Sequence, residues 1–331
     1  MHRSAAALDQ PDSFWNQAAG RSPQGDAFCC RTEWQLSLQE AFFPRRRLVF
    51  RRNETSLLAL AERRYPDLGR ILEPLDSLWM FGSPLLGPEA LELLEALLAE
   101  RRAAGEPATA LVSGVLPDGP LRAALLRGFG PGFEIFRVKT VKVCCASLEG
   151  GLDGFLARRS RTLRKRLRQA SRHAASHGLR FERVAPRSAA EADAAFARML
   201  AVELQSWKGL AGRGMEEPTS SAFYAAMARR LAVSGSGRVI FARLDERDVG
   251  FIFGGLAGPI YRGQQFSYAE DHADWSIGNL LQQAQVAWLA EEGVVQYDLG
   301  PWMAYKDHWA ERTVPMEVLL LRPRPARARP A

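Results

Sequence analysis

Residues 238–268 read RVIFARLDERDVGFIFGGLAGPIYRGQQFSY, and this stretch decides the fold of the second half. Arg238–Leu244, Val249–Leu256 and Ile260–Tyr268 are rich in Val, Ile, Phe and Tyr, which suit a pleated, half-buried surface. The breaks between them, Asp245–Asp248 (DERD) and Ala257–Pro259 (AGP), are short enough for hairpins. The spacing predicts an antiparallel meander of three strands.

Upstream of the meander, Leu179–Val184 reads as a strand and Ser188–Trp207 as a helix. Ser188 is the N-cap, Glu191 completes a capping box, and Phe196, Met199, Leu200 and Leu204 form the apolar face. Past a glycine-rich loop, Gly209–Gly214, Pro218–Val233 reads as a second helix. Downstream come a helix, Gly278–Glu292, stopped by Gly293, then strands at Val294–Leu299 and Met316–Leu321. The order is β-α-α-β-β-β-α-β with a final strand. In the first half, helices are expected at Glu33–Phe42, Pro88–Ala104 (Leu91, Leu94, Leu97 and Leu98 at helical spacing) and Asp118–Arg127, closed by Gly128. Strands are expected at Arg47–Arg51, Leu57–Ala61, Ala108–Ser113 and Phe133–Ala146. One long helix, Leu152–Ser176, joins the halves, with Leu156, Leu163, Leu167 and Ala170 on one side. Strands alternating with helices argue for layered α/β architecture.

A chain of 331 residues has room for two cores, and 47% apolar with 24% charged residues is ordinary for a globular protein. Every long apolar run is broken well short of the roughly 18 residues a membrane helix needs. The opening MHRSAAALDQPDSF lacks the apolar core of a secretory signal, so a cytoplasmic location is expected. The four cysteines form adjacent pairs, Cys29–Cys30 and Cys144–Cys145; neighbours rarely bridge, and metal sites usually space their ligands. Buried thiols and no metal are expected. The net charge of +7 is uneven: Arg158–Arg172 holds eight basic residues and no acidic one, and the tail from Arg322 adds four Arg. Such blocks attract phosphate-bearing partners or form a solvated helix face.

Three stretches carry chemistry. Ser276-Ile277-Gly278-Asn279-Leu280-Leu281 opens a helix just after the meander. Unpaired N–H groups and the positive dipole end there suit a pyrophosphate, with Gly278 allowing close approach; a plain Ser N-cap has the same local sequence. Glu203-Leu-Gln-Ser-Trp207-Lys208-Gly209 ends the first helix of this half: Trp207 and Lys208 read as core and solvent, or with Glu203 as the lining of an acceptor pocket. Tyr297-Asp298-Leu299-Gly300-Pro301, followed by Tyr305-Lys306 and Trp309, puts an Asp where a strand ends and a sheet opens. Asp298 either accepts a proton from an amine or caps the turn; Lys306 can hold a carboxylate or phosphate.

Residues 152–309 resemble the CelD/BcsL-type GNAT acetyltransferases, relatives of the Fem-type peptidoglycan aminoacyltransferases. The likeness rests on Ser160-Arg161-Thr-Leu-Arg-Lys-Arg-Leu-Arg168, Glu203…Ser206-Trp207-Lys208-Gly209, Tyr268…Asp271…Ser276-Ile-Gly278-Asn-Leu-Leu281 and Tyr297-Asp298-Leu-Gly300…Tyr305-Lys306…Trp309. Glu33-Trp34 and Trp79-Met-Phe81-Gly82-Ser-Pro84-Leu-Leu-Gly87-Pro88 extend it into the first half. The resemblance implies two tandem GNAT-like modules, with a mixed sheet and a splayed strand pair that admits the acyl carrier. They divide as a degenerate module over 1–150, a basic linking helix over 151–177, the acyltransferase module over 178–322 and a disordered basic tail over 323–331. It further implies direct transfer of an acyl group, acetyl first, from acyl-CoA to a small-molecule, peptide or saccharide amine, without a metal. Ser276, Ile277, Gly278, Asn279 and Leu280 then face the cofactor, and Asp298 and Glu203 serve as bases or amine-positioning groups. Tyr268 would protonate the thiolate, while Trp207, Lys208, Lys306 and Trp309 contact the acceptor. The alternatives are a Fem-like enzyme charged by aminoacyl-tRNA, tracked by Arg158–Arg172, and a non-catalytic GNAT-like binding protein. Base-stacking aromatics are absent from that basic run, which counts against RNA.

Overall fold

A computed structural model describes residues 13–22, 25–212 and 214–325. The expected tail past residue 325 and most of the opening stretch lie outside these residues. The chain divides into two compact units. The first runs to Lys142 and resumes at Pro315. It holds α1 (Phe14–Gly20), α2 (Thr32–Phe42), β1 (Leu48–Arg52), β2 (Leu57–Tyr65), β3 (Gly69–Pro74), β4 (Leu85–Leu86), α3 (Ala90–Ala103), β5 (Ala110–Val115), α4 (Pro120–Phe129) and most of β6 (Phe133–Ser147). The second, Val143–Val314, holds the end of β6, α5 (Gly151–Ala157), α6 (Arg161–Ser176), β7 (Arg180–Val184), α7 (Ala189–Leu204), α8 (Trp207–Leu210) and α9 (Pro218–Val233). It continues with β8 (Gly237–Leu244), β9 (Arg247–Ala257), β10 (Ile260–Tyr268), α10 (Ile277–Glu291), β11 (Gln296–Pro301) and the start of β12 (Arg312–Pro323).

In the first unit the strands follow the order β1-β2-β3-β5-β12, all antiparallel except β3 beside β5. Leu94, Leu97 and Leu98 of α3 pack on Leu58, Leu60, Leu72 and Val112 in one core, as their spacing predicts. Three elements go beyond the sequence expectation: α1, β3 and the two-residue β4. Helix α4 runs through Gly128 to Phe129, because Phe129 is buried edge-on against Phe133, 5.2 Å between ring centroids. The aromatic motif of this half is structural. Asp76 is buried and accepts from Trp34 Nε1 at 2.9 Å and from the N–H groups of Trp79, Met80 and Phe81.

The second unit carries the order β6-β11-β10-β9-β8-β7. The meander is as expected: β8, β9 and β10 pair antiparallel along their lengths. Helix α10 drives Ile277, Leu280 and Leu281 into a core with Ile240, Ala242 and Ile252. The expected single helix over 152–176 is two helices and belongs to this unit. Ser160 takes an extended backbone and its Oγ accepts from Leu163 N–H, starting α6 afresh. Arg159, buried beside it, donates to the carbonyls of Trp309 and Ala310 and pairs with Glu311. Along α6, Leu163, Leu167 and Ala174 are buried.

Helix α7 also stops early, at Leu204. Ser206 is extended and caps the separate turn α8. Leu204, expected on the apolar face, is 54% exposed, and Glu203 goes inside instead. All four cysteines are buried and free, and burial pushes the Cys30 thiol up to about 12. No described helix is long and apolar enough to cross a membrane.

Candidate active site

Parallel strands β10 and β11 pair only over Ile260–Arg262 against Gln296–Asp298. Past that point β10 runs on to Tyr268, with a register shift between Gly263 and Gln265, and β11 bulges between Asp298 and Gly300 on its way to Pro301. The two strands therefore fork. A fork leaves strand-edge N–H and C=O groups facing the gap, and such groups need partners.

At its vertex the last register pair, Arg262 and Asp298, is also an ion pair: Nη1 to Oδ2 is 2.9 Å, with both residues buried. The other carboxylate oxygen of Asp298 accepts from Gly300 N–H at 2.7 Å. Both oxygens are thus engaged, so the geometry makes Asp298 an anchor of the fork rather than a ready base. Gly300 has φ +82°, and a Cβ there would lie 3.5 Å from Arg262 Nε and 3.6 Å from Lys306 Nζ. Arg262, Asp298 and Lys306 thereby converge on one glycine. Lys306, on a 3₁₀ turn over Ala304–His308, is 7% exposed and donates to Pro301 O at 2.8 Å. Burial, and then repulsion from Arg262, brings its ammonium down to about 8.

A second group lies on β10 past the vertex. Lys208 Nζ donates to Phe266 O at 3.1 Å and to Gln265 Oε1 at 3.2 Å, and it pairs with Glu203 Oε1 at 3.2 Å. Gln265 Nε2 donates to Tyr224 Oη at 2.6 Å, and burial holds the Tyr224 phenol above its usual range. Glu203 and Lys208 therefore come together, but Trp207, one residue on, is 58% exposed. Trp309 is buried and stacked on Phe155 at 5.9 Å, a wall residue rather than a surface one.

The start of α10 differs from the sequence expectation. Ser276 sits in the left-handed region (φ +58°) and makes no side-chain cap, so the first turn is uncapped by it. Ile277, Gly278 and Leu280 are buried, and Asn279 is exposed. A Cβ on Gly278 would meet the Phe266 ring at 2.9 Å and the Tyr268 ring at 3.1 Å. Aromatic packing therefore requires its bare α-carbon. Gly278→Ala is accordingly expected to cost about 1–3 kcal/mol of stability, read from denaturant melts.

Ser276 and Asn279 nevertheless line an open cleft of about 480 Å³ together with Arg166, His173 and Trp275. On the other flank of α6 a cleft of about 710 Å³ is lined by Arg164, Arg168, Arg172 and Gln283. Among the described residues none of Arg161, Arg164, Lys165, Arg166, Arg168 or Arg172 has an ion pair. The sequence reading missed Arg262, Tyr224, Gln265 and the cleft-lining His173. The single charged residue of a central strand was the available signal for Arg262.

The family model for the acetyltransferase (GNAT) domain matches residues 161–308. Among solved structures, FemX is 12% identical with a TM-score of 0.64, covering 96% of each chain. The C-terminal domain of a putative lysylphosphatidylglycerol synthetase from Agrobacterium fabrum is 15% identical, with TM-score 0.58, over 96% of this chain and 92% of that one. A conserved protein from Bacteroides thetaiotaomicron, of unknown function, is 9% identical with TM-score 0.62 over 97% and 99%. No curated protein matches. At these identities the structures establish likeness of fold alone, and the fork of β10 and β11 lies within the segment that the family model matches. Residues 161–308 thus match the acetyltransferase (GNAT) domain, and it is this segment that ties the chain to the GNAT acyltransferases.

Proposed function

We propose that the chain is an N-acyltransferase that moves an acyl group, acetyl first, from acyl-CoA to an amine by direct attack. The observation that carries this reading is the fork at Arg262 and Asp298, with the buried Lys306 ammonium beside it. A slender chain bearing amides can lie in the gap and use the strand-edge groups, while its phosphate end meets the uncapped start of α10 and Arg166. Ser276, Ile277, Gly278, Asn279 and Leu280 form that first turn, with Ser276 and Asn279 turned to the cleft. Lys306 stabilises the oxygen charge that develops as the amine attacks the acyl carbonyl, and Asp298 holds Arg262 and Gly300 so that Lys306 stays in place. Glu203, tied to β10 through Lys208, handles the amine, and Tyr268 protonates the leaving thiolate.

Titration of the full chain with acetyl-CoA tests the donor. Saturable binding is expected, weakened tenfold or more in Asn279→Trp, which fills the cleft without disturbing the Phe266–Tyr268 packing. Absence of binding to acetyl-CoA and longer acyl-CoAs would overturn the reading. One observation favours a second donor: Arg164, Arg168 and Arg172 recur every four residues along the larger cleft without ion pairs among the described residues. An aminoacyl-tRNA on that ridge would show affinity falling steeply with added salt, by roughly one power of salt concentration per phosphate contacted.

A further inference from the structure

Helix α6 carries more positive charge than its own surroundings answer. Arg164, Arg168 and Arg172 recur every four residues, so they climb one edge of the helix in steps of about 6 Å. Like charges at this spacing repel from turn to turn, and α6 has no acidic residue in its first turn to meet the positive end of its dipole. None of the three has an ion pair among the described residues, and all three line the cleft of about 710 Å³. The rest of that cleft is of two kinds. Leu156 and Leu167 give it an apolar floor, while Asp153 of α5 and Gln283 of α10 bring acceptor oxygens. Oε1 of Gln283 is buried with no hydrogen-bond partner among the described residues. An acceptor left in this state costs free energy, which an N–H group entering the cleft recovers.

A ligand that answers all three surfaces combines anionic oxygens, a flat apolar body and an N–H donor. Inorganic phosphate lacks the last two, and a sugar phosphate lacks the apolar body. We infer that this cleft, walled by α5, α6 and α10, is a second ligand site, and that its ligand is a nucleotide whose base bears an exocyclic amino group. The phosphates take the arginine edge, where guanidinium forks match their oxygens in paired hydrogen bonds. The base lies over Leu156 and Leu167 and donates its amino N–H to Gln283 Oε1. This site is not the one that meets the donor in the proposed function: Ser276, Asn279 and Arg166 line the other cleft, and Leu167 is common to both. Helix α6 thus stands between the two clefts, and the second site does not rest on the donor reading.

The test is calorimetric titration of the full chain with ATP, ITP and tripolyphosphate at one salt concentration. Saturable ATP binding is expected, weakened tenfold or more in Arg168→Glu and unchanged in Asn279→Trp, which fills the other cleft. ITP carries an oxygen where ATP carries the amino group, so it is expected to bind roughly 3- to 10-fold more weakly, the worth of one hydrogen bond. That gap should close in Gln283→Leu, and thermal melts check that all three variants fold. Absence of ATP binding overturns the inference, as does ATP binding that survives Arg168→Glu or is lost in Asn279→Trp. Tripolyphosphate binding as tightly as ATP would make the cleft a plain anion seat, and ITP matching ATP would remove the base; either result also overturns it. So does a tRNA that binds through Arg168, with affinity falling by three or more powers of salt concentration, while ATP does not bind. If acetyl-CoA fails to bind while ATP still binds through Arg168, the donor reading falls and the nucleotide site stands.

Discussion

Lys306→Met is expected to slow turnover by about 10²–10³-fold, the usual cost of removing one donor to a developing oxyanion, while raising the melting temperature at neutral pH. The two effects have one cause. An ammonium that titrates near 8 in the folded protein and near 10.5 in the unfolded chain is disfavoured by folding at pH 7. The gap corresponds to about 3 kcal/mol, at 1.36 kcal/mol per pH unit. Losing the hydrogen bond to Pro301 O returns roughly 0.5–1.5 kcal/mol of that, and methionine keeps most of the packing. The sign follows from proton counts: between pH 8 and 10.5 the unfolded chain holds a proton here that the folded protein lacks. Stability from this group is therefore complete above about pH 10.5, declines as pH falls, and is gone below about pH 8. Melts of both proteins across that window should show the wild type gaining on the variant as pH rises. A variant no more stable than the wild type at pH 7 would show that Lys306 carries no folding strain.

Arg262→Leu is expected to have the largest effect on stability, about 3–5 kcal/mol, because it leaves Asp298 buried without its cation. The Gly300 N–H bond remains but cannot replace a guanidinium in a site this dry. Adding Asp298→Asn should recover part of the loss, since the uncompensated charge goes with it; that recovery in denaturant melts separates lost pairing from lost packing. Removing Arg262 also removes a repulsion on Lys306, so the Lys306 titration should move up in pH in the single variant. A loss below about 1 kcal/mol would mean that water reaches the vertex and the pair is effectively at the surface.

The sheet of the second unit was legible because it obeys local rules. Alternating apolar residues, two short turns and the Ser188 and Pro218 helix starts each point to the same answer as the packing. The breaks at Ser160 and Ser206 were not legible, since Arg and Leu continue the helical pattern on both sides of Ser160, and Leu204 and Trp207 flank Ser206. What ends the helices is tertiary: Arg159 reaching the carbonyls of Trp309 and Ala310, and Ser206 starting a turn over buried Glu203. The site was half legible. Asp298 and Lys306 stand at a strand end where chemistry is usually found, and the structure does bring them together. Arg262 pairs with Asp298 across 36 residues, a partnership that arises only once the strands are in register. Gly278 shows the converse, a residue suggestive of phosphate whose constraint comes from two aromatic rings.

The four buried cysteines have a practical meaning for anyone measuring this chemistry. A thiolate, not a thiol, reacts with electrophilic dyes, and burial both shields these sulfurs and, at Cys30, keeps the proton on. The folded protein should then be optically silent toward a thiol-reactive chromophore. With acyl-CoA as donor, every equivalent of colour that develops counts one turnover, and a burst equal to the cysteine content would instead report unfolding.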